Sequence, residues 1–354
     1  MRGQKLFLLL LSLMLLSGCV QKEVVDDVNI AVGIGLDKKD DQILGSVMIP
    51  VYKTDRSIEN FTFTSKGTVT RDIIFQMSHK SSQPIVTGSL EVGLFGEEVA
   101  REGIIEFLDA FQRDPSVGAR VYLAVVDGTA SEIFKGNYGD RGNAIYLSGL
   151  IQQNTERGNM PLTNVHQFLF DFYQKGKDPF LPLLKKTQPD LVNIAGVALF
   201  KDEKVIDSIP TSKMFYFKLL VDEYSEGTIK IKADNKESVI KSLKSKYKFR
   251  LKKRSPYEFD IHINIDALVS EYTGRTVSKK VVKKIEKQLE RQVASECTKL
   301  IKKFQEKNID PIGLGHFAKT QTRGFDFTKW TEEYPNAEVK VSVDVSIAEV
   351  GVVE

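Results

Sequence analysis

Residues 276–305 read TVSKKVVKKIEKQLERQVASECTKLIKKFQ, and residues 338–348 read EVKVSVDVSIA. In the first stretch Val281, Ile285, Leu289, Val293, Cys297, Leu300 and Phe304 recur at steps of three and four, the spacing of a single face of a helix. In the second, Val339, Val341, Val343, Val345 and Ile347 alternate strictly with polar residues, which is the period of a strand buried on one side. A long one-sided helix beside one-sided strands indicates an α+β arrangement in which the helix covers a sheet. The helix predicted over 276–305 is the longest in the chain.

Working back from the helix, strands are expected at 258–268, 247–251 and 228–232. Between Lys230 and Arg254 eleven basic residues stand against two acidic ones, Asp234 and Glu237, a local net charge of +9 in what reads as strand, helix, strand. On the helix itself, the wheel places Lys280, Lys284, Lys287, Arg291 and Lys302 together, opposite the apolar stripe and with no acidic neighbour on the same line. A lysine-rich face is ordinarily a solvated one. The functional alternative is contact with anionic lipid or an acidic partner.

The front half alternates differently. Residues 28–36 (VNIAVGIGL) and 42–52 flank a charged turn and read as a hairpin. A strand at 61–64, a helix around Ile73, Ile74 and Met77, a strand at 89–95, a helix over 97–112 and a buried strand at 121–126 follow; strand, helix, strand at this spacing implies a parallel pair. Helices are expected at 144–153 and 162–174. Pro179, Pro182 and Pro189 then make residues 176–189 the best candidate linker, with a second hairpin beyond at 192–200 and 205–209. The fold class is thus α+β: a multi-domain, mixed α/β chain with antiparallel and mixed sheets packed against helices. Its divisions are an N-terminal α/β domain at 26–190, a middle region at 191–227 and a C-terminal α+β domain at 228–354.

The chain begins with material of another kind. Arg2 and Lys5 precede an apolar run at 6–16, LFLLLLSLMLL, which ends in Leu16-Ser17-Gly18-Cys19. The run is shorter than the ~17–25 residues of a membrane-spanning helix. Basic start, apolar centre and small residues before a cysteine are the anatomy of a lipoprotein signal peptide. Residues 1–18 are therefore expected to be removed and Cys19 to carry a diacylglyceryl thioether, Ser17 and Gly18 being small enough to admit the peptidase. Two acyl chains on one residue give stable anchoring where one gives only marginal binding. Residues 19–25 would form a short tether, and the folded part would lie outside, on the membrane.

Composition excludes several functions. With 42% apolar and 27% charged residues over 354 positions, the chain is globular and large enough for two or three cores. Its formal charge of +3 includes Arg2 and Lys5, so the processed protein is nearly neutral and nucleic acid is not an expected partner. Cys297 is the sole other cysteine and lies on the apolar stripe, where it serves as a small core residue without a disulfide partner. Gly33-Ile34-Gly35 lacks the third glycine of a dinucleotide fingerprint, since position 38 is lysine. His79, His166, His262 and His316 are scattered without metal-ligand spacing. Phosphate-loop, zinc-protease and nucleophile-elbow motifs are absent, so neither an enzyme nor a metal or cofactor site is expected beyond the lipid on Cys19.

Several segments resemble, in order, the Ger(x)C family of spore-germination lipoproteins. These are Leu16-Ser17-Gly18-Cys19; Gly33-Ile34-Gly35-Leu36-Asp37; Phe95-Gly96-Glu97-Glu98-Val99-Ala100-Arg101-Glu102-Gly103; Gly196-Val197-Ala198-Leu199-Phe200-Lys201; Asp310-Pro311-Ile312-Gly313-Leu314-Gly315; and Trp330 before Tyr334-Pro335. The tether departs from the family pattern, having Val20-Gln21-Lys22-Glu23-Val24-Val25 where many members carry a tryptophan and an arginine-rich turn. The resemblance implies a non-enzymatic C subunit of a nutrient germinant receptor on the outer face of the spore inner membrane, with two integral membrane subunits as partners. Family structures are mixed α and β with three domains. The competing expectation is a solute-binding lipoprotein of a transporter, which tight, saturable binding of an amino acid or sugar would favour.

Overall fold

The computed structural model describes residues 27–350 apart from 68–69, 119, 159, 224–225 and 234. Leu16, Ser17, Gly18 and Cys19 lie outside the described residues.

The first half is built on one mixed sheet. After a short β1 (Asn29–Ile30) come β2 (Gly33–Lys39), β3 (Gln42–Tyr52) and β4 (Ile58–Gly67), then β5 (Ile85–Val86), β6 (Val92–Gly96), β7 (Tyr122–Val126), β8 (Phe180–Gln188), β9 (Leu191–Lys201) and β10 (Lys204–Pro210). Eight of these form a sheet in the order β10-β9-β8-β7-β6-β2-β3-β4, while β1 and β5 pair separately. The central pairs β2/β6, β6/β7 and β7/β8 are parallel, and the outer pairs are antiparallel hairpins. Parallel central strands need both faces covered, hence their almost unbroken apolar sequences. Ile34, Leu36, Leu123 and Val125 point into one core, roofed by α1 (Thr70–Ser78), α2 (Glu97–Glu102), α3 (Ile105–Arg113) and a helix at Val165–Tyr173. Val92, Leu94, Ala124 and Val126 point into the other, covered by α4 (Ala130–Phe134) and α5 (Asn143–Glu156). The Val165–Tyr173 helix is α6, and α7 (Thr211–Val221) follows β10.

The second half is a four-stranded sheet, β11 (Gly227–Ala233), β12 (Lys236–Arg254), β13 (Tyr257–Tyr272) and β14 (Glu338–Val350), in that order. The parallel β13/β14 pair requires a crossover. It is made by α8 (Lys279–Glu306), α9 (Leu314–Thr320) and α10 (Phe327–Glu333). Ser278 starts α8 by accepting the Val281 N–H through its hydroxyl. Ile285, Leu289, Val293, Cys297, Leu300 and Phe304 are buried in the same cluster as Ile261, Ile263, Ile265, Val343 and Val345. That cluster continues into the first half through Phe217 of α7, whose ring meets Phe304 edge-on at 5.9 Å.

Four local expectations change. Residues 176–189 are not a linker: β8 lies within them, with Phe180, Leu181 and Leu184 buried and Pro182 paired opposite Val197. The sheet therefore runs across residue 190, and β9 and β10 of the expected middle region complete it. The helix over 97–112 is two helices, α2 and α3, interrupted at Gly103, whose φ of 136° a helix does not accommodate. The basic stretch 230–254 holds no helix; from Lys244 to Lys252 its charges fall on every second residue, a strand period. Among the described residues four helices, α4, α7, α9 and α10, carried no sequence expectation.

Candidate functional site

The five basic residues expected on one helix face, Lys280, Lys284, Lys287, Arg291 and Lys302, are all exposed on α8. Lys283 and Lys299 are exposed with them. What removes negative charge from this side is the behaviour of the helix's own glutamates. Glu286 and Glu290 turn toward β14, an outer strand of its sheet, and accept the N–H groups of Ile347 at 3.0 Å and Val345 at 3.2 Å. An open strand edge is thereby capped by carboxylates. Glu296 is bonded to Lys213 of α7 and to Lys299, and those bonds hold its carboxyl below the usual range.

A second basic surface lies on the sheet. Lys241, Lys244, Lys246, Lys248, Arg250 and Lys252 of β12 are exposed, while Ser242 and Ser245 between them are buried. Across the pair, β13 opposes this row with Asp266, Asn264, His262 and Asp260, so the basic row runs beside two carboxylates, an amide and an imidazole. Because α8 covers the inner face, the lysines of the helix and those of β12 look in opposite directions. The sequence registered the charge of 230–254 but not its placement.

The segments that carry the family resemblance meet in pairs. Asp37, at the end of the β2 segment, is buried and caps α4: Oδ1 accepts the Ala130 N–H at 2.7 Å and Oδ2 the Ser131 N–H at 2.9 Å. Gly96, from the next segment, is required beside it, since a Cβ there would stand 2.3 Å from Asp37 Oδ1. Asp310 is buried and accepts the N–H groups of Gly313, Leu314 and Gly315 at the start of α9. Asp178 is bonded to the Asp310 N–H at 2.6 Å and lies 3.4 Å from Lys201, which closes the β9 segment. Trp330 packs so tightly on Gly315 that a Cβ there would lie 2.5 Å from its Nε1, and the Tyr334 hydroxyl donates to the Ile309 carbonyl at 2.7 Å. Burial pushes Asp310 up to about 7 against the pull of its three N–H donors, and raises Asp178 against the pull of Lys201.

These residues are occupied with holding the fold. A cavity of about 280 Å³ beside the Asp178–Asp310 junction is lined by Lys177, Lys201, Asp202, Phe327 and Trp330. A hollow of about 700 Å³ lies between α3 and α6, lined mainly by Phe111, Val165, Leu169, Phe170 and Tyr173. Among the described residues no group of three or more His, Cys, Asp or Glu side chains is placed to hold a metal ion. His166 and His316 both line the hollow between α3 and α6, and Cys297 is fully buried, its thiol raised by desolvation. Among the described residues no helix is long and apolar enough to cross a membrane.

Comparison with known proteins gives two family matches. The family described as spore germination protein N-terminal domain matches residues 21–186, and that described as spore germination B3/GerAC like, C-terminal, matches residues 195–351. The chain is 32% identical to the spore germination protein GerQC of Bacillus cereus, covering 98% of each chain. It is 24% identical to the putative spore germination protein YfkR of Bacillus subtilis, covering 98% of this chain and 97% of that one. The crystal structure of the GerBC protein shares its fold at a TM-score of 0.61 and 18% identity, over 90% of this chain and 97% of that one.

Proposed function

The chain belongs to the GerAC-like family of spore germination proteins, and from that premise we propose that it is a lipid-anchored, non-enzymatic subunit of a spore nutrient germinant receptor. The observation that carries this reading is the similarity running through both halves of the chain. Leu16-Ser17-Gly18-Cys19 supplies the anchor, a diacylglyceryl group on Cys19 that holds the protein at the outer face of the spore inner membrane. Its partners are two integral membrane subunits of the receptor, and its contribution is required for the germination response.

The carboxylates that sequence similarity singles out, Asp37 and Asp310, are buried and used as caps within the fold, which supports a structural role for them over a catalytic one. The exposed side of α8 is the surface offered to an acidic region of a partner subunit, since Glu286 and Glu290 are turned away to β14 and Glu296 is paired with Lys213 and Lys299.

Spores carrying the wild-type gene, a deletion, or Cys19→Ala test the reading. Loss of the response to one nutrient class on deletion, restored by wild type and not by Cys19→Ala, is expected. A normal response to every nutrient tested in the deletion would overturn it. Cys19→Ala should leave a folded chain that has lost its acyl group and its retention in the membrane fraction.

A further inference from the structure

We infer that the surface carrying Phe61 and Phe75 is the part of the molecule that rests on the lipid. This builds on reading Cys19 as the point of lipid attachment.

The Asn29 N–H donates to the Pro84 carbonyl at 2.8 Å and its side-chain amide donates to Ser81 Oγ at 2.7 Å, so the chain enters the fold beside the segment that follows α1. On α1, the Phe75 ring meets His79 edge-on at 4.5 Å. Lys80 reaches from the same turn to the Thr64 carbonyl of β4 at 2.9 Å. The entry point, the end of α1 and the edge strand β4 are thus one continuous region.

Eight peptide units separate Cys19 from Asp27, which span roughly 29 Å when fully extended. The chain then runs into β2, two strand spacings (about 10 Å) from β4 and five (about 24 Å) from β10, so the tether starts nearer the β4 end of the sheet.

The side chains there have the chemistry for it. Phe75 is 61% exposed on α1, and Phe61 is 52% exposed on β4. Phe61 and Phe63 lie on the same side of β4, their rings edge-on at 4.7 Å, and Phe63 packs on the core that holds Ile73 and Met77 of α1. Val51, 44% exposed, is on the equivalent side of β3 as buried Val47 and Ile49. Aromatic rings left in water on both a helix and an edge strand mark an interaction surface. The nearby charges are largely balanced, Lys53 against Glu59 and Lys66 against Asp40. Lipid at the headgroup and acyl boundary accepts such a neutral, aromatic patch.

The test uses the full, acylated protein in phosphatidylcholine and phosphatidylglycerol vesicles. Cysteine is introduced as Phe75→Cys or, in a second variant, Gln76→Cys, and labelled with an environment-sensitive fluorophore; buried Cys297 does not compete for label. Ile145→Cys on α5, which covers the opposite face of the sheet, is the control. Nitroxide-bearing lipids should quench the label at 75 or 76 roughly twofold or more over the label at 145. Equal quenching in an acylated, vesicle-bound chain would overturn the lipid-facing surface alone. A chain that is neither acylated nor retained would overturn the anchor reading and this one together. Shielding of position 75 that appears only when spore membrane proteins are added would assign the patch to a protein partner and overturn the proposal.

Discussion

Asp178 and Asp310, 132 residues apart, are joined by two bonds of opposite sense: the Asp178 N–H donates to the Asp310 carbonyl at 3.0 Å, and the Asp310 N–H donates to Asp178 Oδ2 at 2.6 Å. They tie the entry to β8, in the first sheet, to the turn between α8 and α9, in the second half. The carboxyl of Asp310 then serves the start of α9, so one buried acid links both halves of the fold.

Its titration should be visible in stability. Burial raises Asp310 from 3.8 to about 7, so the folded chain binds this proton more tightly than the unfolded chain. The protonated group's favourable contribution is complete below about pH 4 and is lost as pH rises to about 7. Asp310→Asn cannot titrate, and its amide also leaves the Gly315 N–H facing a donor. The stability of wild type minus that of Asp310→Asn should therefore be about 1–3 kcal/mol more favourable at pH 5 than at pH 7.5. Urea midpoints at the two pH values check this, and an equal difference at both would refute it.

Gly96→Ala is expected to cost about 2–4 kcal/mol, because its Cβ displaces the Asp37 carboxylate and strands the buried Ala130 and Ser131 donors. Thermal unfolding measures it. A loss below about 0.5 kcal/mol would show that the two segments are not held together by this contact.

The double variant Glu286→Ala/Glu290→Ala should destabilise the chain by about 1–2 kcal/mol through loss of two charge-assisted bonds. Amide exchange at Val345 and Ile347 should accelerate, while exchange at Ile263 on the covered strand β13 stays slow. Unchanged exchange along β14 would mean that the carboxylates do not protect that edge.

Charge reversal at Lys280, Lys287 and Arg291, exposed on α8, should leave the melting temperature within about 2 °C of wild type. Recovery of the membrane subunits with the protein should fall, and the wild-type interaction should weaken with added salt. Undiminished recovery would remove the helix from the interface.

Periodicity located α8 and β14 because each has one wet face and one dry one, and such a contrast is written into the order of residues. The same reasoning failed at β8, where prolines speak for a break and only the burial of Phe180, Leu181 and Leu184 against other strands makes a strand. It passed over α7, whose apolar residues are buried nearly all round and so leave no stripe. At Gly103 a residue suited to many conformations gave no warning of the bend that splits α2 from α3.

For function, the sequence by itself supplied the expectation of export and lipidation at Cys19, the basic side of α8 and the ordered segments that place the chain in its family. Those features are local: a cleavage box, a helical period, a run of residue types. The tertiary structure alone decided that Asp37 belongs with Gly96, that Asp178 and Lys201 belong with Asp310, and that Glu286 and Glu290 leave the helix surface to close a strand edge. Each of these depends on which distant segments pack together, and burial and hydrogen-bond partners arise only when the chain has closed on itself.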